Sequence, residues 1–417
     1  MCTVKLKPGV ELSGFDDNLE EPSYLVSYFN KNWKVKKIVY DVIFQLQNNK
    51  IEDEKDANHI ISILSQNEIE VTIDEVNFII NFLKSNGLIV GYEPEKDKDK
   101  PLRDKMIWAR ITLIPSTITK KFSLLKFLFD KLFFSILITL FIAWFIYMYM
   151  INSPSIVGEK LMKLYFTELV LSYIFLIFTG FAHEIGHAVA LMKHGENPGR
   201  IGAAMYFIMP VLFADVTRAW KLSRKARVMV DIGGIYFQGL ILMISYIINE
   251  LFINSHLLTI GIMLSTIAII GNFNPFIKMD GYWIFSDILG VENLHKLARD
   301  TIAYFFEKTK GVPNPISKFK KRQRAIMVVY LVATCAFYVY MMQMIYHALI
   351  FGIDILATDL TVLLNGELSY MNIGVGDVMS YLSSRVSVFI ALFLAIRMVY
   401  MLIKRLAILT KRRRLQA

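Results

Sequence analysis

Two histidines and a glutamate lie within about one helical turn of an apolar stretch, in the order His183-Glu184-Ile185-Gly186-His187. Residues four apart share a face of a helix, so the imidazoles of His183 and His187 can reach one metal ion together. Glu184 projects from the neighbouring side, where it can take a proton from a metal-bound water. A hydrolytic zinc centre also needs a third protein ligand and one open position, so a further ligand must come from elsewhere in the chain.

The best candidate for that ligand lies in a later segment, Asn274-Pro275-Phe276-Ile277-Lys278-Met279-Asp280-Gly281. Asp280 can ligate zinc through its carboxylate, and Gly281 would permit a close approach of the backbone to the metal. Pro275 would break the preceding helix, and the Asn274 amide would position the substrate backbone or polarise the scissile carbonyl. The alternative interpretation of Asp280-Gly281 is an ordinary turn. The alternative interpretation of His183 and His187 is that they form interhelical hydrogen bonds.

The composition is that of a membrane protein. Of the 417 residues, 55% are hydrophobic, and several apolar runs reach roughly 20 residues, the length that a helix needs to cross a bilayer. The net charge of +10 is therefore interpreted through the positive-inside rule, and no nucleic-acid partner is predicted. The two cysteines are far apart in the chain, so neither a disulfide framework nor a cysteine-based metal site is predicted.

The apolar runs predict about six transmembrane helices, so the expected fold class is an α-helical polytopic membrane protein. The predicted spans are approximately 132–151, 166–192, 232–252, 257–276, 326–351 and 386–403. Lys and Arg are concentrated in the two long loops between spans and at the termini, and the N-terminus has no apolar signal-peptide core. We therefore expect a multi-pass protein of the cell membrane with both termini cytoplasmic. His183 and His187 then lie in the cytoplasmic half of the bilayer, with Asp280 at a similar depth.

The part of the chain before the first span is predicted to form a small cytoplasmic winged-helix-like domain. A strand is expected near Tyr24–Tyr28, and helices are expected at Val35–Leu46, at Ala57–Gln66 and after a capping box. The capping box is formed by Thr72 and Glu75, and the helix that follows has an apolar stripe and a stop at Gly87. This order resembles the small peptide-binding domain, related to the quinone-cofactor chaperone, that recognises leader sequences in ribosomal peptide modification. A packed cap without a ligand is the alternative.

Changes in composition divide the chain into five parts. They are the winged-helix-like domain 1–92, a charged linker and juxtamembrane segment 93–131, a membrane core 132–292 that holds the zinc site, a basic cytoplasmic loop 293–325 and the C-terminal helices with a basic tail 326–417.

Two further segments are too short or too polar to be spans. Met106–Phe129 mixes apolar and basic residues, which predicts either an amphipathic segment along the membrane surface or a basic flank. Ala203–Phe213 is apolar but short and contains Pro210, which predicts a re-entrant or hairpin element.

The two motifs together resemble the site-2 protease family of intramembrane zinc metallopeptidases. The resemblance covers roughly residues 165 to 295, and the sequence from Asp280 to Asp287 is similar to a bacterial branch associated with ribosomally made peptides. It implies that His183, His187 and Asp280 are zinc ligands, that Glu184 is the general base and that Asn274 helps to hold the substrate strand. It also implies that Gly233-Gly234 lets helices pack closely. The common family pattern has a glycine where this chain has Tyr282.

These expectations lead to a function. The chain would be an intramembrane zinc metalloprotease that cleaves a small precursor peptide or a single-span membrane segment by attack of a zinc-activated water, with Glu184 as base. Expected partners are that substrate, the lipid bilayer and proteins of peptide modification or export. The alternative is a non-proteolytic membrane protein for peptide binding, export or immunity on the same scaffold, although pure binding would not need Glu184.

Other polar residues lack motif partners. Asp215 is expected to cap the helix that follows it. Four further histidines are expected at the surface or the membrane interface, namely His194, His256, His295 and His347.

Overall fold

The structure is a computed structural model, and it is mostly helical with two small β-sheets. It describes residues 5–17, 22–29, 31–48, 61, 65, 71–93, 107–151, 166–206, 209–307, 314–317 and 319–364. Backbone contacts divide the chain into two compact units. The first unit consists of Met1–Ser155 and Ser172–Arg324, and the second consists of Ile156–Leu171 and Ala325–Ala417. The first unit contains all of the residues that the sequence singles out for chemistry.

An antiparallel meander and two helices form the N-terminal module. Its elements are β1 (Val10–Phe15), β2 (Ser23–Tyr28), β3 (Lys31–Lys36), α1 (Lys37–Asn48) and α2 (Ile73–Ser85). Alternating residues of the strands and the apolar stripes of both helices meet in one core, which includes Val26, Ile43 and Ile79. Thr72 and Glu75 form the predicted capping box, so the sequence signal for the start of α2 is confirmed.

A second antiparallel sheet joins segments that are far apart in the chain. Strand β4 (Ile107–Ile114) pairs with β5 (Ile201–Tyr206), which pairs in turn with β6 (Met209–Ala214). The hairpin of β5 and β6 confirms the hairpin alternative for Ala203–Phe213. Strand β6 is an edge strand of this three-stranded sheet.

The structure describes most of Met106–Phe129, and the predicted place of this segment along the membrane surface or as a basic flank stays a prediction. Its first half is strand β4, and its second half is a short helix, α3 (Ser116–Thr119), followed by a 3₁₀ helix (Lys120–Phe129). The β-branched residues of β4 form a strand because β5 supplies backbone partners, which local sequence cannot reveal.

Helices make up the rest of the described chain. They are α4 (Lys131–Ile146), α5 (Phe166–Lys193), α6 (Arg224–Ile248), α7 (His256–Asn272), α8 (Asp280–Leu289), α9 (Leu294–Glu307) and α10 (Lys321–Leu364). A 3₁₀ helix (Thr217–Lys221) precedes α6, and π-helical turns end the runs after α4 and α6 at Tyr147–Ile151 and Asn249–Ile253.

Four of these helical segments are long and apolar enough to cross a membrane, as judged by length and composition within the described residues. They are Lys131–Tyr149, Val170–Lys193, Arg224–Ile253 and Lys321–Ile355. Helix α7 is apolar but shorter, at His256–Asn272. The sixth predicted span, 386–403, lies outside the described residues, so the number of spans stays a prediction. The winged-helix assignment also stays a prediction, because the predicted helix Ala57–Gln66 lies almost entirely outside the described residues.

Helix α6 is the centre of the membrane bundle, where it packs against α4, α7 and α8. Helices α5 and α6 cross at glycines: a Cβ on Gly186 would lie 2.8 Å from the carbonyl carbon of Gly233, and a Cβ on Gly233 would lie 2.8 Å from the Ala190 Cβ. Both distances are shorter than real side chains allow, so only glycine permits this approach. The close helix packing predicted for Gly233 is confirmed.

Candidate metal centre

Three side chains from two helices converge on one point. His183 and His187 project from α5, and Asp280 is the first residue of α8. The two Nε2 atoms lie 3.1 Å apart, Asp280 Oδ2 lies 2.8 Å from His183 Nε2, and Asp280 Oδ1 lies 3.5 Å from His187 Nε2. Within the described residues, these three are the group of metal-ligating side chains whose donor atoms lie within 4.8 Å of one another.

Each imidazole is held by a hydrogen bond to its other ring nitrogen. His187 Nδ1 lies 2.7 Å from the carbonyl oxygen of Val230, and His183 Nδ1 lies 3.0 Å from Gln238 Oε1. A carbonyl oxygen can only accept, so each Nδ1 carries the proton, and each neutral ring directs a lone pair from Nε2. Metal-binding histidines have this arrangement, because the outer hydrogen bond fixes the tautomer and the orientation of the ring.

The convergence of these acceptors requires positive charge between them. Two lone pairs and a carboxylate at these distances repel one another, and a single proton can bridge only one of the close pairs. A metal ion satisfies all three. Zinc–ligand distances of about 2.0–2.2 Å correspond to tetrahedral ligand–ligand distances of about 3.3–3.6 Å. Of the observed distances, 3.5 Å lies in this range, and 2.8 and 3.1 Å are somewhat shorter. The residues therefore fit zinc, with three protein ligands and a fourth position left for water or substrate.

Electrostatics keep Asp280 in the form that binds metal. Burial raises the pKa of its carboxyl group, but the interactions with the adjacent His187 and His183 side chains lower it by more, so the net pKa lies below its ordinary value. Nearby, Asp231 on α6 is buried within electrostatic range of His187 and Asp280, and its Oδ2 accepts no hydrogen bond from the described residues.

Glu184 lies beside the three donor residues and faces the second sheet. Its carboxylate accepts a hydrogen bond from the backbone N–H of Ala214, at the end of edge strand β6. One turn earlier on α5, a Cβ on Gly180 would lie 3.1 Å from Leu212 Cδ1, so α5 runs directly alongside β6. Glu184 is thus available as a base next to an extended backbone edge.

The turn before α8 sets the position of Asp280. A Cβ on Gly281 would lie 2.8 Å from the Cα of Phe273, so Gly281 permits close contact with that backbone. Its predicted approach to the metal stays a prediction. His295 Nε2 lies 3.0 Å from the carbonyl oxygen of Phe276, and its ring packs against Tyr282 at 4.6 Å. His295, which was expected at the surface or the membrane interface, is half-buried and supports the turn that carries Asp280.

Two other residues singled out in the sequence have local roles in the structure. Asn274 Oδ1 accepts the backbone N–H of Phe276 at 2.8 Å, so this oxygen stabilises its own turn and is not grouped with the three donors. Asp215 Oδ1 accepts the backbone N–H and the hydroxyl of Thr217, the first residue of the 3₁₀ helix, at 3.2 and 2.7 Å. Asp215 therefore binds the first residue of the helix that follows it, although the N-cap position itself is Val216.

A hydrogen-bond chain behind His183 was not apparent from the sequence. Gln238 Nε2 donates to Thr179 Oγ1 at 3.3 Å, and Thr179 Oγ1 lies 3.2 Å from Ser265 Oγ. The chain joins α5, α6 and α7, and all three side chains are buried. The available signal was a set of polar residues within apolar runs, each of which is costly to bury unless it is paired.

We expect Gln238→Leu to weaken zinc binding by about 10- to 100-fold, because His183 loses the acceptor that orients its ring. Leucine has a similar volume, so the packing of α6 is largely kept. The measurement is zinc affinity in a competition titration with a chromogenic chelator. Unchanged affinity would show that Gln238 does not orient His183.

Comparison with known proteins gives one curated relative. A stretch of 124 residues, 30% of this chain, is 25% identical to a Bacillus subtilis (strain 168) protein whose name is "Putative peptide zinc metalloprotease protein YydH". The match spans 49% of that protein, about half its length. No family model matches the chain. No solved structure matches it either.

Proposed function

We propose that this protein is a membrane-embedded zinc metalloprotease of the site-2 protease type. The observation that carries the proposal is the grouping of His183, His187 and Asp280 beside Glu184. The histidines lie on α5, which is apolar enough to cross a membrane, and Asp280 lies on α8, which packs against α6. The similarity to a protein named as a peptide zinc metalloprotease supports metalloprotease chemistry in general. The Glu184 side chain distinguishes this function from simple metal or peptide binding, since binding alone does not need a base.

The residues of the chain would divide the reaction as follows. His183, His187 and Asp280 hold zinc, which when bound polarises the scissile carbonyl and lowers the pKa of water. Glu184 accepts a proton from the attacking water and later donates it to the leaving amine nitrogen. The N–H of Ala214 holds the Glu184 carboxylate in place between these two proton transfers.

The proposed substrate is a small precursor peptide or a single-span membrane segment. Its scissile bond must leave any helical hydrogen bonding before water can attack. Edge strand β6 runs along α5 next to Glu184. Its outer edge, which pairs with no strand among the described residues, would hold a substrate in extended form by backbone hydrogen bonds. Asn274 would contribute further contacts to that strand.

The setting that we propose is the cell membrane, with several spans and both termini cytoplasmic. The lipid bilayer is then a partner, and proteins of peptide modification or export are further candidates. The N-terminal module would guide the precursor peptide to the membrane bundle. Each of these proposals rests on the charge distribution and the resemblance described above.

Zinc content tests the third ligand. We expect Asp280→Ala to lose most of its zinc, because two histidines alone leave half of the coordination sphere to water. The measurement is metal content of purified wild type and variant by mass spectrometry after dialysis against a weak chelator. Full occupancy in the variant would contradict the assignment of Asp280.

Hydrolysis tests the function as a whole. Zinc-loaded protein in nanodiscs is incubated with synthetic peptides encoded next to its gene and with a single-span reporter, and the products are identified by mass spectrometry. Cleavage that a chelator abolishes and added zinc restores is the expected result. Zinc binding without cleavage of any neighbouring peptide or of the reporter would favour the binding, export or immunity alternative.

A further inference from the structure

A buried arginine joins three parts of the first unit. Arg227 lies in the first turn of α6, and its side chain is 6% exposed. Its Nε donates to Asp287 Oδ1 at 2.6 Å, Nη1 donates to the carbonyl oxygen of Leu222 at 3.0 Å, and Nη2 donates to the carbonyl oxygen of Asp16 at 3.0 Å. A planar guanidinium has fixed donor directions, so these contacts determine its orientation.

The N-terminal module supplies the surface that holds this arginine. The Phe15 ring lies against the guanidinium, with the Arg227 Cζ 4.8 Å from its centroid, and stacks on Trp220 at 5.6 Å. Phe15 is buried, so the attraction between cation and ring is little weakened by water. The adjacent Asp16 accepts the backbone N–H and the Nε of Arg224, both at 2.9 Å. The end of β1 therefore docks on the start of α6 through a ring and a pair of charged contacts.

The other partner of Arg227 is on the helix that carries Asp280. Asp287 lies seven residues after Asp280 on α8, about two turns along the same face. Helix α8 packs against α6, so the ion pair between Arg227 and Asp287 fixes both the rotation and the axial position of α8. A shift of this helix would move Asp280 away from His183.

We infer that Phe15 and Arg227 are positioning residues of the metal centre. Through Phe15, Arg227 and Asp287, the N-terminal module holds α8 in the place that brings Asp280 to the two histidines. The inference rests on the proposed function, since it concerns the same metal site. The module is therefore part of the structure that forms the metal centre, in addition to any role in guiding a peptide.

The test is Co²⁺ binding by full-length protein in nanodiscs, because the visible spectrum of Co²⁺ reports the number and symmetry of its ligands. We expect Phe15→Ala and Asp287→Asn each to weaken Co²⁺ binding about tenfold or more and to change the spectrum. Phe15→Tyr keeps the aromatic face and should keep both properties. Phe29→Ala is the matched control, since Phe29 belongs to the same module but is 77% exposed.

The outcomes separate the inference from the proposed function. If wild type binds no Co²⁺, the metal site itself is wrong. If wild type binds Co²⁺ and both Phe15→Ala and Asp287→Asn bind it with the same affinity and spectrum, the positioning role is overturned. Weaker binding in Phe15→Ala alone would also overturn it, because Asp287→Asn leaves the module untouched and tests the ion pair directly.

Discussion

Replacing Glu184 with glutamine is expected to reduce peptide hydrolysis by at least about a thousandfold, while zinc binding is unchanged. General acid–base catalysis contributes about 10²- to 10⁴-fold to typical enzymes, and Glu184 is expected to act both as base and as acid. Glutamine has the same shape and keeps an oxygen that can accept the N–H of Ala214, but it cannot take up a proton. Glu184 is not one of the three grouped donors, so the metal should stay.

The measurement compares single-turnover cleavage rates and zinc content of wild type and Glu184→Gln in the same nanodiscs. Glu196→Gln is the matched control, because Glu196 lies just beyond the end of α5 and pairs with Arg218 at 3.6 Å. The control should cleave at nearly the wild-type rate. Equal cleavage by wild type and Glu184→Gln would mean that another group is the base, and loss of zinc in Glu184→Gln would mean that Glu184 is itself a ligand.

Gly234→Ala is expected to abolish metal binding, with an affinity at least about 100-fold weaker than that of wild type. A Cβ at position 234 would lie 2.6 Å from His183 Nε2, the atom that should bind the metal. Both atoms belong to helices that are packed closely, so the histidine must leave its position. Alanine favours a helix over glycine by about 1 kcal/mol, so weakening of α6 cannot explain the loss.

Zinc affinity and thermal stability together test this prediction. Gly271→Ala is the matched control, because a Cβ there meets no atom within 4 Å and the residue also lies in an apolar helix. We expect the control to bind zinc normally and Gly234→Ala to stay folded but empty. If Gly234→Ala binds zinc with wild-type affinity, the close approach of α6 to the two histidines is wrong.

Local signals predicted those parts of the molecule that depend on neighbours in sequence. The spacing of His183 and His187 is a property of one helical turn, and the capping box at Thr72 is a property of four residues. Asp280 could be proposed because the predicted topology places its helix end at the depth of the histidines. That argument used only the order of spans and the side of each loop.

Contacts between segments that are distant in the chain could not be predicted from local sequence signals. Pairing of β4 with β5 joins residues almost a hundred positions apart, and the register of such a pair depends on the whole fold. Gln238 and the Val230 carbonyl hold the two imidazoles because α6 crosses α5 at a particular angle. The crossing depends on Gly186 and Gly233, whose pairing becomes visible only when both helices are in place. Every residue has a backbone carbonyl oxygen, so the sequence cannot show which carbonyl accepts a hydrogen bond from a histidine.

The placement of the three donors also determines when a metal can be acquired during biosynthesis. His183 and His187 emerge from the ribosome early, on α5, whereas Asp280 follows only after α6 and α7 have been made. The three-ligand site is complete only when α8 packs against α6, where Arg227 contacts both Asp287 of α8 and Asp16 of the N-terminal module. An ion held by two histidines before that point would exchange readily with water and chelators. Tight metal loading should therefore mark a bundle whose insertion and docking are complete.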